Sequence, residues 1–586
     1  MKKLYLLLAI IFSLYIIYIN STAENIIYMD QIRMTSIIEK YFNGNLSFSD
    51  LWSSYLGHRS LGYHLIFVIN AAFFHLNSFI EINISAICLL FIAVIFVKSY
   101  YVEFIKVNVF KDGYSDKLLK GNLIAIILVI FSLNKWETAL LGLGLNEYLV
   151  NILFIVMFYL FNDFLVKKKL SLKKIITLFL ALNFSIIFFS LAYVAPFILA
   201  LYLVIILDFL LKKKEIKVKL SLVILYTINT FILCLIYLYN INEQSANEEK
   251  ISILNKITTL VSEPISILKF YFFGLSGSVI GIETAQKLFS NGILLLLGIF
   301  VFLFYSIAIY LFFKIKLYNV NYFPFLLIIY SLAYMALVLI GRLDYGEQYG
   351  MSSRYTLAMM YGLIGIVWIF SLVNQMTIKN FKLRIFNWAF ILILILSIII
   401  TNLDEIRKSP YRNQSYQNMR TIAFNEKWDE WGIFQSDLDL TKKAFETLKK
   451  HNLNVYYDYS EKELNQLGTN INNAILGEGV YKEEENFYWI SKSGNIQIKS
   501  GTTGYVEIEA TMNNYFQKNN ISIYINEKKM VDEIIEPGKI NISFYVEPNK
   551  VHKMRIEIEK TFIPYDLGIN NDKRELGIII NKLEIR

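Results

Sequence analysis

The chain has 586 residues, of which 55% are hydrophobic, 16% aromatic and 18% charged, and its mean hydropathy is +0.46. Soluble domains carry roughly 25% charged residues, so a single water-soluble globule is excluded. The formal charge of +9 would suit a nucleic-acid binder, but the lysines fall in short clusters between apolar runs. That placement follows the positive-inside pattern of membrane proteins, and no nucleic-acid partner is expected. Both cysteines, Cys88 and Cys234, lie inside apolar runs, which leaves no outward disulfide and no cysteine–metal site.

Met1-Lys2-Lys3 precedes an apolar run at 4–19. The basic start and the following Ser21-Thr22-Ala23 fit a signal peptide. The many later apolar runs and the lack of a clear A-x-A site favour a retained first helix. Residues 20–79 then form an outer loop with two amphipathic pieces. Residues 30–42 set Ile32, Ile37 and Ile38 among polar residues, and residues 62–76 carry His64, Asn70 and His75. The second piece reads as a helix lying in the interface rather than a short span. A second span at 80–97 running inward then makes Lys98, Lys106, Lys111, Lys117 and Lys120 cytoplasmic.

Further spans are expected near 119–133, 145–162, 174–189, 191–210, 219–238, 291–313, 322–340, 355–374 and 385–401, about eleven in all at ~20 apolar residues each. The inward loops carry Lys167-Lys168-Lys169 with Lys173 and Lys174, Lys212-Lys213-Lys214, Lys314 with Lys316, and Lys379, Lys382 and Arg384. This pattern implies a multi-pass protein of a cell membrane with a cytoplasmic N-terminus and an extracytoplasmic C-terminal region. Residues 239–290 are an outer loop with helices, one starting at Glu263-Pro264. The apolar stretch 265–281, with Gly274 and Gly277, lies in the interface or dips back into the bundle.

From Thr401 the composition becomes that of a soluble protein. The expected organisation is a transmembrane domain at 1–401, an extracytoplasmic linker with a small α/β region at 402–489, and a β-sandwich at 490–586. Within it, 402–435 is a polar linker with Trp428 and Trp431. Ser436 caps a helix with a Leu438, Phe445 and Leu448 stripe. Asn454-Val455-Tyr456-Tyr457 reads as a strand, and a short helix follows. Alternation in 521–525, 541–546, 554–558 and 578–585 indicates antiparallel strands.

Three outward polar clusters interrupt the bundle. The first is Asp30 with His58 and Arg59. The second is Asn134, Trp136 and Glu137 with Asn146-Glu147-Tyr148. The third runs from Gly341-Arg342 through Asp344 and Glu347 to Ser353-Arg354-Tyr355. A carboxylate at such a mouth can take a proton from an attacking hydroxyl, and arginines can grip a phosphate with paired donors. Asp30 is the candidate base, with Glu137 as second acid. Arg342 and Arg354 are the candidate phosphate ligands, with Arg59 and His58 behind them. Trp136, Glu147 and Tyr355 are candidates for the acceptor side. Bland readings stand beside these: Glu137 and Glu147 as solvated helix ends, Trp136 as an interfacial anchor, His58 as a loop residue, and Arg342 and Arg354 paired with Asp344 and Glu347. No H-E-x-x-H or G-x-S-x-G occurs. One carboxylate per loop is too sparse to claim a metal, although a divalent cation is left open.

With Asp30 early in a long outer loop, Gly57-His58-Arg59-Ser60-Leu61-Gly62-Tyr63 later in it, and the Asn134-Lys135-Trp136-Glu137 and Ser353-Arg354-Tyr355 segments, residues 1–400 resemble the GT-C superfamily of membrane glycosyltransferases. Relatives often show His-Pro-Pro-Leu where this chain lacks the prolines. The resemblance implies a polyprenyl-phosphate-linked sugar as donor, reached from the membrane lipids, a glycan acceptor on the outer face, the acid as general base, and inversion at the sugar carbon. Phe562-Ile563-Pro564 and Asn571-Asp572-Lys573-Arg574-Glu575-Leu576-Gly577-Ile578 resemble the closing motif of jelly-roll modules attached to bacterial glycan enzymes, which are similar to carbohydrate-binding domains. The plainer reading pairs Asp572 with Arg574 to fix the last turn. The expected fold class is thus a polytopic α-helical membrane protein, GT-C-like, with a C-terminal α/β linker and β-sandwich. Competing functions are a polysaccharide polymerase or ligase, a transporter or flippase of lipid-linked glycan, and a non-catalytic scaffold.

Overall fold

The computed structural model describes residues 2–55, 58–106, 113–166, 172–211, 216–239, 262–376, 381–424, 426, 428–457, 475–484, 487–500, 503–548, 550–569 and 572–585. The chain divides into two compact units, Met1–Tyr416 and Gln417–Arg586.

The first unit is helical. In chain order it contains α1 (Lys2–Thr22), α2 (Asp30–Phe42), α3 (Phe48–Leu51), a hairpin of β1 (Ser54–Tyr55) and β2 (His58–Arg59), α4 (Leu61–Phe74), α5 (Ser78–Tyr100), α6 (Gly113–Ile130), α7 (Trp136–Leu140), α8 (Gly144–Val166), α9 (Leu172–Phe188), α10 (Leu191–Leu211) and α11 (Ile216–Leu238). There follow α12 (Pro264–Val279), α13 (Ile282–Leu288), α14 (Asn291–Lys314), α15 (Phe323–Arg342), α16 (Thr356–Met376) and α17 (Phe381–Phe424), whose last residues, 417–424, count with the second unit. Among the described residues nine helices are long and apolar enough to cross a membrane, the architecture of a polytopic helical membrane protein. The expected spans at 174–189 and 219–238 correspond to α9 and α11, which stand outside those nine. α9 has 17 residues, about 26 Å at 1.5 Å per residue against a ~30 Å hydrocarbon core. α11 has 23 residues, about 35 Å by the same rise.

Helix α1 is part of the bundle rather than an appendage. Phe12 and Tyr15 pack edge-on against Phe131, and Asn20 exchanges amide hydrogen bonds with Asn83 of α5 at 2.9–3.0 Å. The centre is α16, buried from Thr356 to Asn374. Its Trp368 is fully buried against Phe96, Tyr100, Phe104 and Phe323. Gly362 and Gly365 bring it close to α15, because a Cβ at either would collide with Ser331 or with the Pro324 carbonyl. Helices α12 and α13 meet at a 100° bend, with Pro264 in the first turn of α12.

Helix α17 runs for 44 residues, through the stretch expected to be a linker from 402. Its charged half continues as helix because its charges are matched, by the Asp404–Lys408 pair at i,i+4 and by Arg412 on Glu405.

In the second unit Asp437, not Ser436, caps α18 (Leu438–Lys450), its carboxylate accepting from the Asp439 and Leu440 amides. Phe445 and Leu448 are buried as the stripe requires. Asn454–Tyr456 is a 3-10 turn rather than a strand, since Asn454 sits at φ 52, which a strand does not admit. The short helix expected next, within 458–474, lies outside the described residues.

The sandwich starts earlier than 490. Its strands are β3 (Ile475–Leu476), β4 (Val480–Glu484), β5 (Phe487–Ile490), β6 (Ser493–Lys499), β7 (Tyr505–Met512), β8 (Asn519–Ile525), β9 (Lys528–Ile535), β10 (Gly538–Tyr545), β11 (Val551–Ile558) and β12 (Ile578–Ile585). They form two antiparallel five-stranded sheets, ordered β10-β7-β12-β5-β4 and β3-β6-β11-β8-β9. Leaving out the edge strands β3 and β4, the order is that of a double Greek key, a jelly roll. Alternate residues such as Ile508, Ile523, Ile556 and Ile580 fill one core between the sheets.

Candidate functional site

The site is built at the end of the bundle where α1 leaves and α2 begins. Met29 takes φ 56 and ψ −133 at the start of α2, a strained conformation for a non-glycine residue, and this sharp turn launches the helix at Asp30. The next residue anchors it. Gln31 is buried, and its amide donates to the Tyr63 hydroxyl at 2.9 Å and to Glu81 at 3.2 Å. Glu81 also accepts from Tyr63 at 3.1 Å and Asn70 at 2.8 Å. Asp30 itself is half-buried and has no hydrogen bond or ion pair among the described residues. It lies within electrostatic reach of His58, Tyr63 and Tyr193.

The second cluster meets the third directly. Short helix α7 presents Glu137, whose carboxylate accepts from Arg354 Nε and, at 2.9 Å, from Ser353 Oγ. The Arg354 guanidinium also reaches Met29 Sδ at 3.5 Å. At the head of α8, Glu147 accepts from the Tyr193 hydroxyl at 3.0 Å. Tyr355 is buried with its ring against Tyr334 and Tyr349, and Tyr345 stacks on Tyr349 at 5.0 Å. Segments 28–31, 137–147, 193 and 342–355 thus converge on one mouth walled by tyrosines.

The basic residues divide into free and committed. Arg342 is exposed. It has no carboxylate partner among the described residues, and its contacts are the Tyr345 hydroxyl at 3.3 Å and the Tyr345 ring at 5.3 Å. It faces His58, whose pKa is held below the ordinary value by burial and by the Arg342 charge, with Asp30 pulling the other way. Arg354 is held by Glu137, and Glu347 pairs with Lys269 at 3.2 Å, so neither forms the local pair that their spacing in the chain allowed. Arg59 is 6% exposed, and carbonyls occupy its guanidinium. It donates to Trp52 O at 2.5 Å, to Tyr237 O at 2.9 Å and to Tyr239 O, and lies over the Trp52 ring. It clamps the β1–β2 hairpin to the end of α11. Trp136 has one face covered by Arg412, 3.4 Å from its centroid. Gly57 lies outside the described residues.

Sequence reasoning missed the network that carries Arg412. Its guanidinium bridges Glu405 and Glu283, and Lys408 contacts Glu283 at 2.8 Å and Asp404 at 2.6 Å. Lys287 and Thr284 complete Asp404. This network ties α13 to α17 and stacks on the helix of Glu137. It also missed Tyr193 and Glu81. Glu81 did leave a signal, as a lone carboxylate in an apolar run. Among the described residues no group of three or more His, Cys, Asp or Glu side chains is placed to hold a metal ion.

At the opposite end, the basic end of the bundle, Glu103 in a π turn accepts from Asn321 and Trp368 at 3.0 and 3.1 Å, and Tyr322 donates to Asp208 at 2.8 Å. Comparison with protein-family models, with curated proteins and with solved structures gives no match.

Proposed function

We propose that the protein is a membrane glycosyltransferase of the GT-C type, moving a sugar from a polyprenyl-phosphate donor to a cell-envelope glycan. The observation that carries the reading is the pairing, at one mouth, of an uncommitted carboxylate, Asp30, with an uncommitted guanidinium, Arg342. Asp30 takes the proton of the acceptor hydroxyl. The oxygen attacks the anomeric carbon as the bond from that carbon to the phosphate oxygen breaks, and the phosphate leaves with the electron pair. Arg342 receives the developing charge. In-line attack inverts the sugar carbon. The Glu137–Arg354 pair shapes the wall, and Glu147 with Tyr193 and Tyr355 offers hydroxyl and ring surface to the acceptor. By the positive-inside distribution the mouth is extracytoplasmic, as is the sandwich.

A flippase is the second reading, favoured by the 100° break between α12 and α13, because transporters use broken helices. Binding of a synthetic polyprenyl-phosphate sugar by the full chain in nanodiscs tests the donor assignment. Arg342→Ala should weaken binding ~10-fold or more, the loss of one charge-assisted contact. Unchanged affinity would remove Arg342 from the site.

A further inference from the structure

One turn of chain behind the Glu137–Arg354 pair lies a small cavity lined by Ser132, Asn134, Lys135, Ser278 and Thr356 with apolar neighbours. It has room for about one water-sized molecule. Lys135 is 2% exposed. Its ammonium has three protons to donate, and its hydrogen bond goes to the Ser132 carbonyl at 3.0 Å. It has no carboxylate within ion-pairing distance among the described residues. Asn134 is 4% exposed. Its Nδ2 donates to Gly277 O at 2.6 Å, which fixes the amide and leaves a buried Oδ1 with no donor.

The hydroxyls decide what fits. Ser278 Oγ already donates to Leu275 O at 2.6 Å, and Thr356 Oγ1 to Ser353 O at 2.8 Å. The protons of Ser278 and Thr356 are spent, so these two offer lone pairs, whereas Ser132 Oγ accepts from the Asn134 amide at 3.3 Å and keeps its proton to give. A halide would suit the ammonium but would lie against Asn134 Oδ1 and these oxygens. A metal cation would meet the ammonium. Only a molecule that both accepts and donates matches the whole lining. We propose that the cavity is an internal hydration site, in which ordered water accepts from Lys135 and donates to Asn134 Oδ1. This water gives the buried Lys135 Nζ and Asn134 Oδ1 the hydrogen-bond partner that burial would otherwise deny them. The site is independent of whatever reaction the mouth performs.

The test is a water-resolving cryo-electron microscopy map of the full chain in nanodiscs, recorded in chloride and again in bromide, with Lys135→Met as a third sample. The expected result is density within hydrogen-bond distance of both Lys135 Nζ and Asn134 Oδ1, equal in the two salts and lost in the variant. An empty cavity overturns the proposal, and so does density that strengthens in bromide, which would make the occupant a halide. The two wild-type maps decide the question if the variant does not fold.

Discussion

The Glu137–Arg354 pair can be measured as an interaction. Its two side chains are 13% and 37% exposed, and Glu137 accepts a second bond from Ser353. At ~4 Å and an effective dielectric near 20 the attraction is ~4 kcal/mol. Desolvation takes much of this back, and solvent screens an arginine more than a third exposed. The coupling should therefore be ~1–2 kcal/mol, above an open surface pair and below a fully buried one. The experiment is a double-mutant cycle in a bilayer mimic, with Glu137→Gln, Arg354→Gln and the pair, read by reversible unfolding. Each single variant should lose ~1–3 kcal/mol, and the double should lose less than their sum by the coupling. A coupling within ~0.3 kcal/mol of zero, the usual error of additivity, would refute the ion pair and return Arg354 to the list of free phosphate ligands.

Three further outcomes follow from the same geometry. Arg59→Lys should destabilise by ~2–4 kcal/mol, because an ammonium cannot serve three carbonyls in the guanidinium plane; wild-type resistance of the hairpin to limited proteolysis in this variant would remove the clamp. His58 has its folded pKa below the ordinary value, so the unfolded chain takes up the proton first. Its contribution to stability is full above about pH 6.5 and declines as pH falls below that, a decline that His58→Gln should flatten; identical pH profiles for the two proteins would contradict the shift. In the sandwich, Gly479 sits at φ +74 and a Cβ there would overlap the Ser493 carbonyl, so Gly479→Ala should cost ~2–4 kcal/mol, measured by thermal melting against Gly432→Ala, where the space is open.

Hydropathy made the helices legible because each span carries its own signal, and period-two alternation did the same for β8, β10, β11 and β12. The convergence of Asp30, Glu137 and Arg354 was legible as three interruptions of apolar runs with one common orientation. Which charges pair was not. Arg354 and Glu137 are 217 positions apart, and Arg412 and Glu283 are 129 apart, so no local spacing encodes them. Nearby charges such as Arg342 and Asp344 look like partners in sequence, yet the chain turns Arg342 onto Tyr345. The fate of Arg59 was hidden for the same reason, since its acceptors are backbone carbonyls that any sequence provides. The continuation of α17 past 402 was masked by its polarity, although Asp404 and Lys408 already stood at helical spacing. At the cap of α18, Ser436 and Asp437 are both good capping residues, and only the backbone path selects Asp437.

The central claim is that Asp30 is the base of a sugar transfer from a polyprenyl-phosphate donor. The most direct measurement is turnover of a synthetic donor by the full chain in liposomes, wild type against Asp30→Asn, with donor binding measured in parallel. Asn keeps the size and removes the base, so transfer should fall by ~10²–10⁴-fold while donor affinity stays within a few-fold of wild type. Wild-type turnover by a correctly folded Asp30→Asn protein would contradict the assignment, and the absence of any transfer by the wild type, with the donor moved across the bilayer instead, would favour the flippase.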